Sequence, residues 1–281
     1  GINLGAFLAP LVCGTLGERV GWHWGFGAAG VGMLISLAIY LTGKPYFPEE
    51  ERVRTAELAR APQTGDKKAV LALLVLFVPN VLFWAAYEQQ GNTIPLWVDG
   101  YTDRTVDLLG FSAAIPVTWF LAFNPLMIFL FTPLVLDLWA WQAKRGREPS
   151  TVTKMGLGCL IVAFAYLVMA VAARGADRSG GASWLWLLAF FALVTVGELY
   201  LSPIGLSFVS KIAPRNLLSL MMGIWLAASF LGNFLAGFLG SYWEVLTKSQ
   251  FFLTIGAVAC VAGLAILFAS ARLQKIISRP L

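Results

Sequence analysis

Apolar residues dominate the chain in eight long runs, which short polar segments separate. A helix needs about 20 apolar residues to cross a bilayer, so each run predicts one membrane-spanning helix. The runs cover residues 2–20, 22–43, 69–98, 111–142, 155–173, 184–210, 217–241 and 250–271. The pattern therefore predicts an all-α membrane protein with eight spans.

Two of the runs, 69–98 and 111–142, are longer than a bilayer requires, which predicts tilted or kinked helices. Proline removes a helical hydrogen bond, so the prolines of these runs mark the places where kinks are expected. They are Pro79, Pro95, Pro116, Pro125 and Pro133. The one long polar stretch, 44–68, predicts a linker between two helical bundles, with a short surface helix in "PEEERVRTAELAR".

Composition indicates that lipid is the solvent of this chain. Hydrophobic residues make up 58% of it and charged residues 12%, whereas soluble domains contain about 25% charged residues. The net charge of +5 does not indicate nucleic acid, because the Lys and Arg residues occupy loops between apolar runs. Most of these cations lie in 44–68, 143–154, 211–216 and the tail 272–281, which predicts that this side and the C-terminus are cytoplasmic.

No residue pattern points to an enzyme. The three cysteines lie in separate apolar runs and are interpreted as small core residues. His23 is the one histidine. The sequence has no Ser/His/Asp set and no spacing typical of metal ligands, so we expect neither catalysis nor a metal site.

Two carboxylates, Glu88 and Glu198, lie deep in apolar runs. An acid in the bilayer costs several kcal/mol, so it normally faces a cavity or a partner. The alternative for each is a protonated, hydrogen-bonded structural residue. Aromatic and small polar residues flank the two acids at helical spacing or lie on neighbouring runs, which favours the wall of a polar cavity. These residues are Trp84, Asn124, Ser202, Trp225 and Ser229.

No Lys or Arg lies deep inside any apolar run. If Glu88 and Glu198 are ionised at any stage, their counter-charge must come from a ligand, from a proton or from protein outside this sequence.

Five segments together resemble the proton-coupled oligopeptide transporter family of the major facilitator superfamily. The segments are "INLGAFLAPLVCGTLGE" (2–18), "WHWGFGAAGVGM" (22–33), "FWAAYEQQGNTIPLW" (83–97), "FNPLMIF" (123–129) and "GELYLSPIGLSFVSKIAP" (197–214). The resemblance implies that residues 2–20 are the family's fifth helix and that four helices are absent. It implies a partial fold: 1–43 as the last two helices of an N-terminal bundle, 44–68 as a cytoplasmic linker, and 69–281 as a complete six-helix C-terminal bundle with a short tail.

The resemblance also implies roles for individual residues. Glu88 resembles the acid that couples transport to protons, Glu198 the acid that receives the amino terminus of the peptide, and Asp99 an acid of the extracellular gate. The residues that resemble substrate contacts are Asn3, Trp84, Asn124, Trp225 and Ser229. Leu121 departs from the family, because glutamine is expected there in many bacterial members. The linker 44–68 is also too short for the two extra helices of many bacterial members, which suggests a twelve-helix parent.

The function that the resemblance implies is proton-coupled symport of di- and tripeptides across the inner membrane. The implied partners are the peptide, the lipid bilayer and the missing N-terminal helices, and the proton is the coupling ion in place of any cofactor. Without those helices we expect the chain to be inactive alone. The alternatives are a carrier of an amino acid, a nitrogenous anion or a drug, a membrane enzyme, and a nonfunctional remnant of a truncated gene.

Overall fold

The computed structural model describes residues 1–46, 67–108, 111–214 and 217–277, and most of these are helical. The α-helices are α1 (Ile2–Ala9), α2 (Thr15–Arg19), α3 (Trp22–Gly43), α4 (Lys67–Tyr87), α5 (Gln89–Tyr101), α6 (Phe123–Lys144), α7 (Thr151–Ser179), α8 (Leu185–Ile212), α9 (Leu218–Gly240) and α10 (Lys248–Ile277). A π-helical turn covers Pro10–Gly14, and 3₁₀ helices cover Lys44–Tyr46, Val117–Ala122 and Ser241–Trp243. The surface helix predicted in 44–68 lies outside the described residues.

Seven helical stretches among the described residues are long and apolar enough to cross a membrane. They are Trp22–Tyr46, Val70–Tyr101, Val117–Lys144, Thr151–Ala176, Leu185–Ile212, Leu218–Trp243 and Lys248–Ser270. They correspond to seven of the eight predicted runs, and the membrane-helical fold class is confirmed. The remaining run, 2–20, is helical as well, but the π-helical turn at Pro10–Gly14 divides it into two short α-helices.

Both long runs are interrupted, but only one interruption, at Pro116, coincides with a proline. Run 69–98 breaks at Glu88, between α4 and α5, while Pro79 and Pro95 lie inside those helices. The prediction that 111–142 is helical from its start is wrong, because residues 111–114 form a strand. The helix begins only after Pro116, whose extended backbone and missing N–H do not continue a helix from the preceding residues.

Short strands follow α5 and α7 and precede the α6 segment. Strands β2 (Thr105–Leu108) and β3 (Phe111–Ala114) form an antiparallel hairpin, with Thr105 opposite Ala114. Strands β1 (Thr102–Asp103) and β4 (Ala182–Ser183) pair in parallel and tie the end of α5 to the segment after α7.

The core lies among the helices that follow residue 69. Helix α7 packs against α8 through glycines: a Cβ at Gly158 would lie 2.6 Å from the carbonyl oxygen of Gly197. Small residues allow such close approach, which drives helix packing where lipid supplies no hydrophobic force between helices. Helix α3 differs, because Gly25 is its one buried residue.

The first helices join this core at the start of the α6 segment. The carboxylate of Glu18 accepts hydrogen bonds from the backbone N–H groups of Val117 (3.0 Å) and Thr118 (2.8 Å) and from the Thr118 hydroxyl (2.7 Å). The indole N–H of Trp119 donates to the Thr15 hydroxyl at 2.7 Å. These polar contacts hold α2 against the 3₁₀ helix Val117–Ala122.

Candidate functional site

A cavity of about 340 Å³ lies between the end of α4 and the facing sides of α8 and α9. Its wall combines one carboxylate, two indoles, two hydroxyls and two leucines. The lining residues are Trp84, Glu88, Ser202, Leu206, Trp225, Leu226 and Ser229. The structure thus brings five of the residues predicted for a cavity wall into one space: Trp84, Glu88, Ser202, Trp225 and Ser229.

Glu198 and Asn124 lie in a hydrogen-bonded network beside this cavity and are not among its lining residues. The Oε2 atom of Glu198 accepts hydrogen bonds from the Tyr87 hydroxyl at 2.7 Å and from the Asn124 amide at 2.9 Å. The same Asn124 amide is 3.1 Å from the Thr195 hydroxyl. Three helices therefore contribute to the network: Tyr87 from α4, Asn124 from α6, and Glu198 with Thr195 from α8.

The two carboxylates lie near each other and lack a basic partner in the described part of the chain. Glu88 directly follows Tyr87, whose hydroxyl is 2.7 Å from Glu198. None of the ion pairs among the described residues includes either acid.

A buried amide cluster fixes the backbone just after Glu88. The side-chain amides of Gln89 and Asn92 both donate to the carbonyl oxygen of Ala236 in α9, at 2.9 and 3.1 Å. The Thr93 hydroxyl donates to the Oε1 atom of Gln89 at 2.8 Å. Because Gln89 is fully buried, these bonds satisfy a polar group that would otherwise be costly. They also attach the start of α5 to α9.

Two other predicted site residues lie away from the cavity. Asp99, near the end of α5, pairs with Arg104 at 3.0 Å and is 71% exposed. Asn3 is half-buried near the start of α1 and does not line the cavity.

Sequence reasoning missed Tyr87, Gln89 and Asn92 as contributors to the site. Tyr87 carries a usable signal, since it is three residues after Trp84 and directly before Glu88, so it shares a helix face with the predicted aromatic residue. The partners of Gln89 and Asn92 lie in another helix, and no local pattern indicates them.

Membrane-length helices around a cavity lined by aromatic side chains and one carboxylate define the class as a helical, multi-pass membrane protein with an internal site. The particular family follows from the sequence as a whole. A sequence model of the POT family matches residues 1–61 and 49–258, and the chain belongs to this family.

Similar proteins agree with this assignment. The peptide transporter YePEPT of Yersinia enterocolitica is 32% identical, over 86% of this chain and 60% of the relative. A di-/tripeptide transporter of Lactococcus lactis is 27% identical, over 98% of this chain and 67% of the relative. A crystal structure of the peptide transporter POT in complex with sulfate superposes with a TM-score of 0.82 at 28% identity, over 98% of this chain and 67% of that one. The fold is therefore of the major facilitator type, and the chain spans about two thirds or less of the length of these relatives.

Proposed function

We propose that this chain is part of a proton-coupled symporter of di- and tripeptides. The observation that carries the proposal is the pair of neighbouring carboxylates, Glu88 and Glu198, in and beside an aromatic cavity without an ion-pairing Lys or Arg among the described residues. Membership of the POT family supports it, as do the relatives that are named peptide transporters.

Glu198 is the proposed receptor for the amino terminus of the peptide. Its Oε2 atom is held by two neutral donors, Tyr87 and Asn124, which orient the carboxylate without neutralising it. An ammonium group would complete this site with a charge-assisted hydrogen bond. The carboxyl end of the peptide needs a basic partner, which we propose is supplied by helices outside this sequence.

Glu88 is the proposed coupling acid. A coupling carboxylate must hold a proton in one conformation and release it in another, so its surroundings must change during the cycle. Glu88 meets this requirement because it lines the cavity and lies at the break between α4 and α5. Its proposed basic partner in the other conformation lies outside this chain.

The remaining assignments complete the proposal. Asn3, Trp84, Asn124, Trp225 and Ser229 contact the substrate, Asp99 belongs to the outer gate, and the proton is the coupling ion.

The proposal also includes the organisation of the chain. Residues 1–43 belong to an N-terminal bundle, and 44–68 link it to the C-terminal bundle 69–281. Rocking of the two bundles exposes the site alternately. The protein lies in the inner membrane with its C-terminus in the cytoplasm.

The test uses the complete transporter that contains this sequence, reconstituted in proteoliposomes with an imposed proton gradient. Glu88→Gln should abolish concentrative dipeptide uptake but retain counterflow exchange, while Glu198→Gln should weaken dipeptide binding itself. Asp137→Asn, which removes an exposed carboxylate of α6 that does not line the cavity, should change neither. Concentrative uptake by Glu88→Gln would refute the coupling role. Competition by single amino acids or drugs but not by dipeptides would instead favour a carrier of another small solute.

A further inference from the structure

We infer that Tyr87 is a positioning residue that sets the orientation of the Glu198 carboxylate toward the amino group of the substrate. This inference rests on the proposed function, because it specifies how the proposed amine receptor is held. Tyr87 itself need not touch the substrate; it acts through Glu198.

Packing against two neighbouring aromatic rings fixes the position of the Tyr87 ring. The side chain is buried, and its ring stacks on Phe83 at a centroid distance of 5.7 Å. It meets the Trp84 indole edge-on at 5.2 Å. Such aromatic pairs favour one relative geometry, so the hydroxyl is presented in a defined direction. That direction leads to Glu198, 2.7 Å away.

The hydroxyl engages only one of the two carboxylate oxygens. Oε2 of Glu198 accepts from both Tyr87 and Asn124, whereas Oε1 accepts none of the side-chain hydrogen bonds found among the described residues. Committing Oε2 to two donors leaves Oε1 as the acceptor for an incoming ammonium. A carboxylate fixed in this way loses less conformational freedom when the ligand binds, which increases affinity.

The position of Tyr87 also connects the two acids, through the chain to Glu88 and through a hydrogen bond to Glu198. Tyr87 is the last residue of α4, and Glu88 at the break follows it directly. The structure thus offers a short covalent and hydrogen-bonded path from the proposed proton site to the proposed amine site.

The first experiment measures equilibrium dipeptide binding and counterflow kinetics of Tyr87→Phe in the complete transporter. Phenylalanine keeps the ring contacts and removes only the hydroxyl. A lost hydrogen bond to a charged group predicts affinity weaker by about 10-fold or more. The KM of counterflow should rise accordingly, with its maximal rate retained.

Tyr166→Phe is the matched control. The Tyr166 hydroxyl is also buried and donates a hydrogen bond of 2.7 Å, but to the backbone oxygen of Ala86, the residue next to Tyr87. Removing it should leave dipeptide affinity within about twofold of the parent, because no bond to Glu198 is lost. An equal loss of affinity in both variants would show a general packing effect and would overturn the inference.

The second experiment is a double-mutant cycle with Glu198→Gln. If Tyr87 acts through the Glu198 carboxylate, Tyr87→Phe should lose much less affinity in the Glu198→Gln background than in the parent. Parental affinity in Tyr87→Phe, or the same loss in both backgrounds, would contradict the positioning role. These results are distinct from failure of the proposed function, which would appear as unchanged dipeptide binding in Glu198→Gln alone.

Discussion

Glu18 and Thr118 are 100 positions apart in sequence, yet the Oε1 atom of Glu18 accepts hydrogen bonds from both the backbone N–H and the hydroxyl of Thr118. With the additional bond from the Val117 N–H, one carboxylate caps the beginning of the 3₁₀ helix that leads into α6. The first N–H groups of a helix have no partner within it, so an acceptor from another helix is a stabilising contact. This contact connects the helices before residue 44 to the helices after residue 67.

Removing this cap should loosen α2 from α6. We expect Glu18→Ala to weaken the contact between α2 and the α6 segment by about 1 kcal/mol. Conformations in which α2 and α6 are apart should therefore become more populated. Electron–electron distance measurements between spin labels on α2 and α6 should show a larger long-distance population. Asp103→Ala serves as the control, since its carboxylate accepts a hydrogen bond from the N–H of the nearby Thr105 and not from the α6 segment, within the described part of the chain. An unchanged distance distribution in Glu18→Ala would contradict the prediction.

Features of a single helix could be predicted from the sequence, whereas a contact between distant helices such as that of Glu18 could not. Apolar run length relates directly to bilayer thickness, so the runs predicted the seven membrane-length helices well. The four-residue spacing of Trp84 and Glu88 likewise placed both in one cavity, because such residues share a helix face. Both predictions depend on properties of a single helix.

Interactions between helices could not be predicted in the same way. The partners Tyr87 and Glu198 are 111 positions apart, and only the packing of α4 against α8 brings their side chains together. The break at Glu88 was also missed. Kinks were expected at the prolines of this run, but Pro79 and Pro95 lie inside helices. The strand at 111–114 was missed because an apolar run alone does not distinguish a short strand from the first turn of a helix.

Gly232 determines how closely α9 approaches the cavity wall. A methyl group at this position would overlap the Cβ atom of Trp84 and crowd the Ala85 backbone. We expect Gly232→Ala to separate α9 from α4, destabilise the protein by roughly 1–3 kcal/mol, and weaken ligand binding in the complete transporter. Thermal unfolding in detergent and dipeptide binding would measure the two effects.

Gly223 provides a control for Gly232 on the same helix. Nothing lies within 4 Å of a Cβ at Gly223, and alanine is a better helix former than glycine by up to about 1 kcal/mol. Gly223→Ala should therefore leave stability unchanged or raise it. If both variants unfold at the same lower temperature, close packing at Gly232 is not the cause.

The amide of Gln89 should contribute measurably to the attachment of α5 to α9. Gln89→Leu removes the donor to the Ala236 carbonyl and the acceptor for the Thr93 hydroxyl, both in a buried site. The expected cost is about 1–3 kcal/mol, because the Thr93 hydroxyl is left buried without this partner. Chemical unfolding should show this loss. Gln250→Leu, which removes an exposed acceptor for the Thr247 N–H at the start of α10, should cost less.

Lys154 was predicted as a cytoplasmic loop charge, but its side chain is almost completely buried at the start of α7. Its ammonium group pairs with the Glu148 carboxylate and lies 4.0 Å from the centre of the Trp139 ring. Glu148→Ala leaves the buried cation without its counter-charge, whereas Lys154→Met removes the cation and keeps an apolar stem beside the ring. Loss of one partner of a buried pair is costly, and apolar replacement of the charge is often tolerated.

We therefore expect Glu148→Ala to lower the free energy of unfolding by about 1–2 kcal/mol, a value reduced from that of a fully buried pair because Glu148 is 39% exposed. Lys154→Met should cost less than Glu148→Ala. As a reference, Glu244→Ala breaks the pair with Lys248, in which the carboxylate is 85% exposed, and should change stability only slightly. Unfolding of the three variants in one detergent gives the comparison. If Lys154→Met is the most destabilised, the Lys154 charge itself stabilises the fold, and its partners include more than Glu148.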